Sequence, residues 1–274
     1  MTEAVPVPPG VDATRPSPAR LYDYILGGTN NFAVDRAAAE RIRAEFPDTV
    51  DAVYANRGFH QRAARWMAEA GIRQFIDIGA GLPTANNTHQ AVQTVVPDAR
   101  VVYVDNDPEV LAHATELLAG SAGTVLIEGD LRDPGRLLGH RLLREMIDFS
   151  QPAGLLMTGI LYFVDDGSDP RGLIRQYAAA LASGSYLAMS QVTADRMPPR
   201  AVEAITENYQ SATERIHFRS LAEVERFFEG LELVAPYPGA EPAVTYAGLW
   251  GAEDPEMADT DGSRILYCGV GRKP

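Results

Sequence analysis

Apolar runs and helix-period stretches alternate along most of this chain. Strand-like runs fall at 74–78, 101–105, 124–128, 153–158 and 185–190. Segments with helical spacing lie between and after them, at about 86–96, 108–119, 133–146 and 170–183. Such alternation predicts a parallel sheet with helices on both faces. Two helices are predicted upstream, over 34–45 and 52–70, the second closed by Gly71 as a C-terminal cap. Two more follow the fifth strand, over 199–213 and 220–229. Ser220 with Glu223 forms a capping-box pattern at the start of the latter. A strand near 231–235 and a closing strand over 264–270 complete the pattern. No helix is predicted between these two strands, so they pair antiparallel or lie apart, because a parallel crossover needs a covering element. No internal repeat is present.

Two stretches do not fit the alternation. Residues 1–19 hold Pro6, Pro8, Pro9, Pro16 and Pro18 with no apolar period and read as an extended arm. Residues 20–32 crowd aromatic, polar and glycine side chains together, a mixture more typical of a binding loop than of a core helix. Residues 236–263 read as a long irregular segment rich in acids, and loops of that length are usually functional or mobile. Its carboxylates could bind a cationic ligand, but they read as a solvated loop.

The candidate chemistry sits at the carboxyl ends of the first three strands. Strand one runs into Asp77-Ile78-Gly79-Ala80-Gly81-Leu82-Pro83, strand two ends at Asp105-Asn106-Asp107-Pro108, and strand three leads to Glu128-Gly129-Asp130. In an open α/β sheet this edge is where ligands bind. Gly79 and Gly81 remove Cβ atoms where a ligand passes close to the backbone. Asp105 stands at the distance from the glycine turn expected of a ribose-binding carboxylate. Asp130 can accept from an adenine amine, and Asp77 can face a ligand amino group directly or through water. Asp107 before Pro108 reads as a helix N-cap, leaving Asp105 and Asn106 to the ligand. The turn lacks the third glycine of a dinucleotide fingerprint; Pro83 and Thr84 occupy that region. A diphosphate wants free backbone N–H groups there. S-adenosylmethionine (SAM) carries no phosphate. The turn, the third acid and the terminal strand pair together favour SAM over a dinucleotide.

At this point the chain resembles an actinobacterial family of S-adenosyl methyltransferases formerly catalogued as a domain of unknown function. The likeness covers about residues 18–274. It rests on Ala19-Arg20-Leu21-Tyr22-Asp23-Tyr24-Ile25-Leu26-Gly27-Gly28, Asn31-Phe32, Asp35-Arg36, and the run from Gly71 to Thr84. It continues through Asn87-Thr88-His89, Arg100 to Pro108, Asp130-Leu131-Arg132-Asp133-Pro134 and Gly269-Val270-Gly271-Arg272-Lys273. The resemblance implies a Rossmann-like α/β sheet of seven strands in the order 3-2-1-4-5-7-6, the last antiparallel, with SAM as methyl donor. It implies no particular acceptor. Where the family often has Leu-His-Phe after strand four, this chain has Leu161-Tyr162-Phe163, so a base role for a histidine there does not carry over.

The division expected is therefore an arm over 1–19, an N-terminal helical lid or cap over 20–70, and a SAM-binding domain over 71–274. Residues 22–32 are the expected lid over the donor. The donor contacts expected are Tyr22, Asn31, Asp77, Gly79, Gly81, Asp105, Asn106, Asp130 and Leu131. Methyl transfer from a sulfonium is an in-line displacement that chiefly requires alignment, and a base only when the acceptor must lose a proton early. Tyr162 and His89 are the candidates for that acceptor chemistry.

Composition narrows the partners. With 274 residues there is room for one large α/β domain with decorations. The formal charge of −13 disfavours nucleic acid, and Lys273 is the single lysine. No apolar run reaches the roughly 18 residues of a membrane span, and the N-terminus lacks a basic-then-apolar signal, so a cytoplasmic protein is expected. Cys268 lies in an apolar strand pattern and reads as a buried structural thiol. His60, His113, His140 and His217 are dispersed, with no pair at ligand spacing, so no metal is expected. A small-molecule acceptor is expected, and homo-oligomerisation stays open. Two alternative readings are a SAM-binding regulator without activity and a dinucleotide-dependent oxidoreductase.

Overall fold

The computed structural model describes residues 7–84, 86–113 and 118–274. The first six residues of the expected arm and part of the helix expected over 108–119 lie outside the described residues.

Five strands form the parallel part of the sheet: β1 (Gln74–Ile78), β2 (Arg100–Asp105), β3 (Thr124–Glu128), β4 (Gly154–Met157) and β5 (Tyr186–Val192). Their order is β3-β2-β1-β4-β5, every neighbouring pair parallel. The long strand β8 (Leu266–Arg272) then pairs antiparallel with β5 from Tyr186↔Arg272 to Val192↔Leu266. The expected seven-stranded order is present, with one strand more than expected. On its outer edge β8 carries β6 (Glu232–Leu233) opposite Arg272 and Gly271, and β7 (Thr245–Tyr246) opposite Cys268 and Tyr267. Strand β6 covers only one end of β8, and β7 pairs with the other, where N–H and C=O groups would otherwise stand unpaired. Two residues are too few to print a period of two in the sequence.

Residues 236–263 are therefore not an open loop. Val244, Ala247 and Trp250 are buried, and Trp250 packs edge-on against Phe59 and Trp66. Arg62 clamps the segment by donating to the carbonyls of Ala247 and Trp250 at 2.8 and 2.7 Å.

Upstream, α1 (Pro18–Ile25), α2 (Ala33–Glu45) and α3 (Thr49–Glu69) precede the sheet. The expectation of a loop over residues 20–32 fails in its first part. Pro18 occupies the first helical turn, where its missing N–H is harmless, and Leu21 is buried. Helix α3 buries Ala52, Asn56, Phe59, His60, Ala63, Ala64, Met67 and Ala68. That spacing is one helical face, and its alanines let the helix lie close to the sheet. Strand alternation sorts the sheet residues. Phe75, Val101 and Tyr103 pack in the core on the α3 side, while Ile76, Ile78, Val102 and Val104 pack on the other. Asp77 thus shares the face of Phe75 and points under α3.

The remaining helices cover the crossovers: α4 (Thr88–Gln93), α5 (Pro108–Ala112), α6 (Pro134–Leu138), α7 (Arg141–Met146), α8 (Pro170–Ala180), α9 (Pro199–Gln210), α10 (Leu221–Arg226) and α11 (Pro255–Ala258). The single helix expected over 133–146 is two, broken at Gly139 and His140. Asp107 caps α5 through Glu109 N, and Ser220 with Glu223 forms the expected box at α10. Among the described residues no helix is long and apolar enough to cross a membrane.

Candidate active site

The turn after β1 and the end of β2 build one wall. Gly79 and Ala80 both donate backbone N–H groups to Val104 O, and Gly81 N donates to Asp105 Oδ2 at 2.9 Å. Asp105 Oδ1 accepts from Asp107 N at 2.9 Å. Burial pushes the Asp105 carboxyl up to about 6, while the N–H groups of Asp107 and Gly81 pull the other way. Gly81 has φ +66°, and a Cβ there would meet only open space. The turn therefore presents bare backbone to a cavity, with a carboxylate fixed beside it.

That cavity is about 320 Å³, within the range typical of small-molecule sites. Tyr22, Gly79, Gly81, Asp105, Asn106 and Tyr162, six of the expected site residues, line it. Its roof is the arm and α1. Ser17 Oγ donates to Asp107 Oδ2 at 2.7 Å, Arg15 reaches the carbonyls of Ser211 and Ala212, and Arg20 pairs with buried Asp35 at 2.8 Å.

The rest of the lining is largely aromatic and polar. Tyr22 comes from α1, Asn56 and His60 from α3, Thr158 and Tyr162 from the loop after β4, and Tyr209 from α9. Asn56 Nδ2 donates to Tyr22 OH at 3.1 Å, and its Oδ1 accepts from Ser190 Oγ at 2.6 Å. Burial raises the Tyr162 hydroxyl well above its ordinary value, with Tyr209 and Tyr22 adding to the effect, and raises Tyr209 to about 12. Both stay neutral near pH 7. Arg219, itself buried, braces the loop behind Tyr162 by donating to Leu161 O, Val164 O and Asp166.

Asp130 and Leu131 lie on an adjoining pocket of about 40 Å³ that shares Gly79, Asp105, Asn106, Ile160, Phe163 and Glu214 with the larger one. Burial works to raise the Asp130 carboxyl, but Arg132 outweighs it through side-chain and backbone hydrogen bonds and holds it below its usual range. Arg132 also reaches Glu214. With Asn106 on the same carboxylate at 3.2 Å, Asp130 is fully engaged, and an adenine amine would have to displace one of these donors.

Three expected residues stand off the cavity wall. Asn31 is buried, donating to Asp23 Oδ2 and Gly28 O, and so supports the wall residue Asp23. His89 is buried with Nδ1 2.9 Å from Tyr103 OH. Asp77 lies behind Thr88 and His60, accepting from Thr88 Oγ1 at 2.5 Å. In exchange, sequence reasoning missed Asn56 and His60. The available signal was their position: two polar residues on the otherwise apolar stripe of α3.

A family model of S-adenosyl methyltransferases matches residues 6–274. The chain belongs to the S-adenosyl methyltransferase family. A protein of the DUF574 family from Streptomyces avermitilis is 40% identical, with a TM-score of 0.88 over 96% of this chain and 99% of that one. A methyltransferase candidate from Thermobifida fusca is also 40% identical, with a TM-score of 0.88 over 98% of this chain and 99% of its own. An O-methyltransferase family protein from Burkholderia thailandensis shares the fold at 14% identity and a TM-score of 0.50, over 87% of this chain and 59% of that one. No curated protein sequence matches the chain. As a SAM-dependent methyltransferase the protein uses SAM as donor, and the residues present suit it. The open backbone at Gly81, the half-buried Asp105 carboxylate and a cavity of small-molecule size together offer what a phosphate-free nucleoside ligand needs.

Proposed function

We propose that this methyltransferase modifies a small-molecule acceptor held against the wall of Tyr22, Tyr162 and Tyr209. One observation carries the reading: a single cavity is lined both by Gly79, Gly81 and Asp105 and by those three tyrosines. A ligand bound along the first group and one bound along the second share one cavity. SAM supplies an activated methyl group when bound. The chain's own residues then do three things. Asp105 accepts from the ribose hydroxyls, charge-assisted hydrogen bonds worth about 1.5–3 kcal/mol each. Tyr22, Tyr162 and Tyr209 hold an acceptor by ring contact, the Tyr22 hydroxyl being engaged by Val53 O and Asn56 Nδ2, and Tyr162 stands where the family often has a histidine. The arm and α1 act as the lid, excluding water so that alignment supplies the rate. We assign His89 no part, because its Nδ1 lies 2.9 Å from Tyr103 OH and it does not line the cavity.

Two measurements test this. Calorimetry is expected to show binding of SAM and S-adenosylhomocysteine but not of NAD; the reverse would overturn the donor assignment. Incubating the protein with a bacterial extract and SAM labelled in the methyl group is expected to place label in the low-mass fraction. Label confined to macromolecules would reject a small-molecule acceptor.

A further inference from the structure

A file of hydrogen-bonded groups leads from the cavity wall into the protein. Thr158 Oγ1 stands 2.6 Å from His60 Nδ1, His60 Nε2 stands 2.7 Å from Thr88 Oγ1, and Thr88 Oγ1 stands 2.5 Å from Asp77 Oδ2. Thr158 and His60 line the cavity, whereas Thr88 and Asp77 are buried behind them. We propose that Thr158, His60, Thr88 and Asp77 form a proton relay that carries the acceptor's proton from the cavity to Asp77, so that the acceptor is a hydroxyl, phenol or N–H nucleophile.

The polarity of the file follows from its ends. An ionised Asp77 only accepts, so Thr88 must donate to it. The Thr88 oxygen then accepts from His60, which fixes the Nε2–H tautomer. His60 Nδ1 is therefore an acceptor, Thr158 donates to it, and the Thr158 oxygen keeps a lone pair for a donor in the cavity. Each group passes one proton one place along. The acceptor's lone pair forms the bond to the methyl carbon, the carbon–sulfur bond breaks, and its electron pair stays on sulfur. The acceptor's proton moves to Thr158, the Thr158 proton to Nδ1, the Nε2 proton to Thr88 and the Thr88 proton to the Asp77 carboxylate. No other reactant is needed.

The electrostatics agree with that direction. Burial, with a smaller contribution from Arg57, pushes His60 down to about 3, so it passes a proton on rather than holding one. Burial pushes Asp77 up to about 7; Thr88 and Arg57 oppose this and Asp105 adds to it. Arg57 and His60 face Asp77 from α3, Thr88 from α4, and Tyr103 and Asp105 from β2. Asp77 is thus basic enough to receive the proton and acidic enough to lose it again.

The proposal rests on the methyltransferase reading, and two readouts keep them apart. The full chain is labelled with nitrogen-15 histidine and saturated with S-adenosylhomocysteine, its binding followed by calorimetry. The His60 signals, assigned with His60→Gln, are expected to be those of a neutral Nε2–H imidazole while Asp77 is ionised and of the neutral Nδ1–H tautomer once Asp77 holds the proton. They should shift once, with a midpoint near the Asp77 value of about 7. Asp77→Asn is expected to abolish that shift. Thr88→Val, which cuts the same link without touching the carboxylate, should do so too and serves if the first variant does not fold. An Nδ1–H tautomer at about pH 9, an imidazolium between about pH 5 and 9, or a tautomer change that survives both variants overturns the relay. Failure of the folded wild-type chain to bind S-adenosylhomocysteine overturns the donor site itself.

Discussion

At the scale of single residues, half-buried Asp105 and buried Asp77 carry different duties and so respond differently to pH. Asp105 has its carboxyl raised to about 6, and a ribose hydroxyl donates best to the ionised form. S-adenosylhomocysteine affinity is therefore expected to fall as pH drops through about 6 and to be flat above it. Asp105→Asn should bind more weakly at pH 8 and lose this dependence. Asp105→Ala, which also frees Gly81 N and Asp107 N, should weaken binding about tenfold to a hundredfold; unchanged affinity by calorimetry would remove Asp105 from the ribose site. Asp77 acts on stability. Its folded value of about 7 lies above the ordinary 3.8, so its contribution is fully present below about 4 and is lost as pH rises through about 7. The loss amounts to roughly 4 kcal/mol, about three pKa units at about 1.4 kcal/mol each. Asp77→Asn is therefore expected to gain in melting temperature relative to the wild type as pH rises from about 4 to about 7. A difference constant across that range would contradict the buried, raised carboxyl.

At the scale of elements, Arg20 and Asp35 decide how the N-terminal segment is held. They are 2% and 0% exposed, and Asp35 also accepts from Ser17 N and Phe32 N. One carboxylate thus ties the start of α1, the start of α2 and the chain before both. Replacing one partner of a buried pair leaves the other charged and unpaired, at about 3–5 kcal/mol. Arg20→Met is expected to lower the melting temperature by that measure and to weaken S-adenosylhomocysteine binding, because the arm it anchors roofs the cavity. The sequence hid this arrangement for a physical reason. Helix α1 has a short apolar face and draws its stability from the Arg20–Asp35 pair, a tertiary contact with no local signature. The strands were legible because β1, β2 and β5 are buried and rich in apolar residues, and Asp107-Pro108 announced the cap of α5. The same logic explains Asn56 and His60: helical spacing marks α3, but only the packed sheet beneath it turns two stripe residues into a cavity wall.

At the scale of the whole molecule, the strand-end part of the cavity lining was legible, while of the aromatic part only Tyr22 and Tyr162 were, because the first is local and the second is assembled. Gly79, Gly81 and Asp105 come from adjacent strand ends whose motif can be read in order. Tyr22, His60, Tyr162 and Tyr209 come from four separate parts of the chain. That assembly has a consequence for how ligands enter. Val11, Ser17 and Arg20 roof a cavity whose floor is the rigid edge of the parallel strands. The roof is joined to its surroundings mostly through side chains: Ser17 to Asp107, Arg15 to the carbonyls after α9, Arg20 to Asp35 and Tyr22 to Asn56 and Val53 O, beside the backbone bond from Thr213 N to Pro16 O. Backbone hydrogen bonds of the sheet run across several strands at once, so opening the floor disrupts far more than opening the roof. Passage of a nucleoside-sized ligand should therefore proceed by movement of residues 7–32, with the sheet unchanged. Hydrogen exchange of the full chain is expected to be fast in this segment without ligand and to slow about tenfold or more with S-adenosylhomocysteine, an effect of at least about 1.4 kcal/mol on local opening. The amides of β1, β4 and β5 should change little. Equal protection of the sheet and the N-terminal segment would mean that binding stabilises the molecule globally, and the lid reading would then fail.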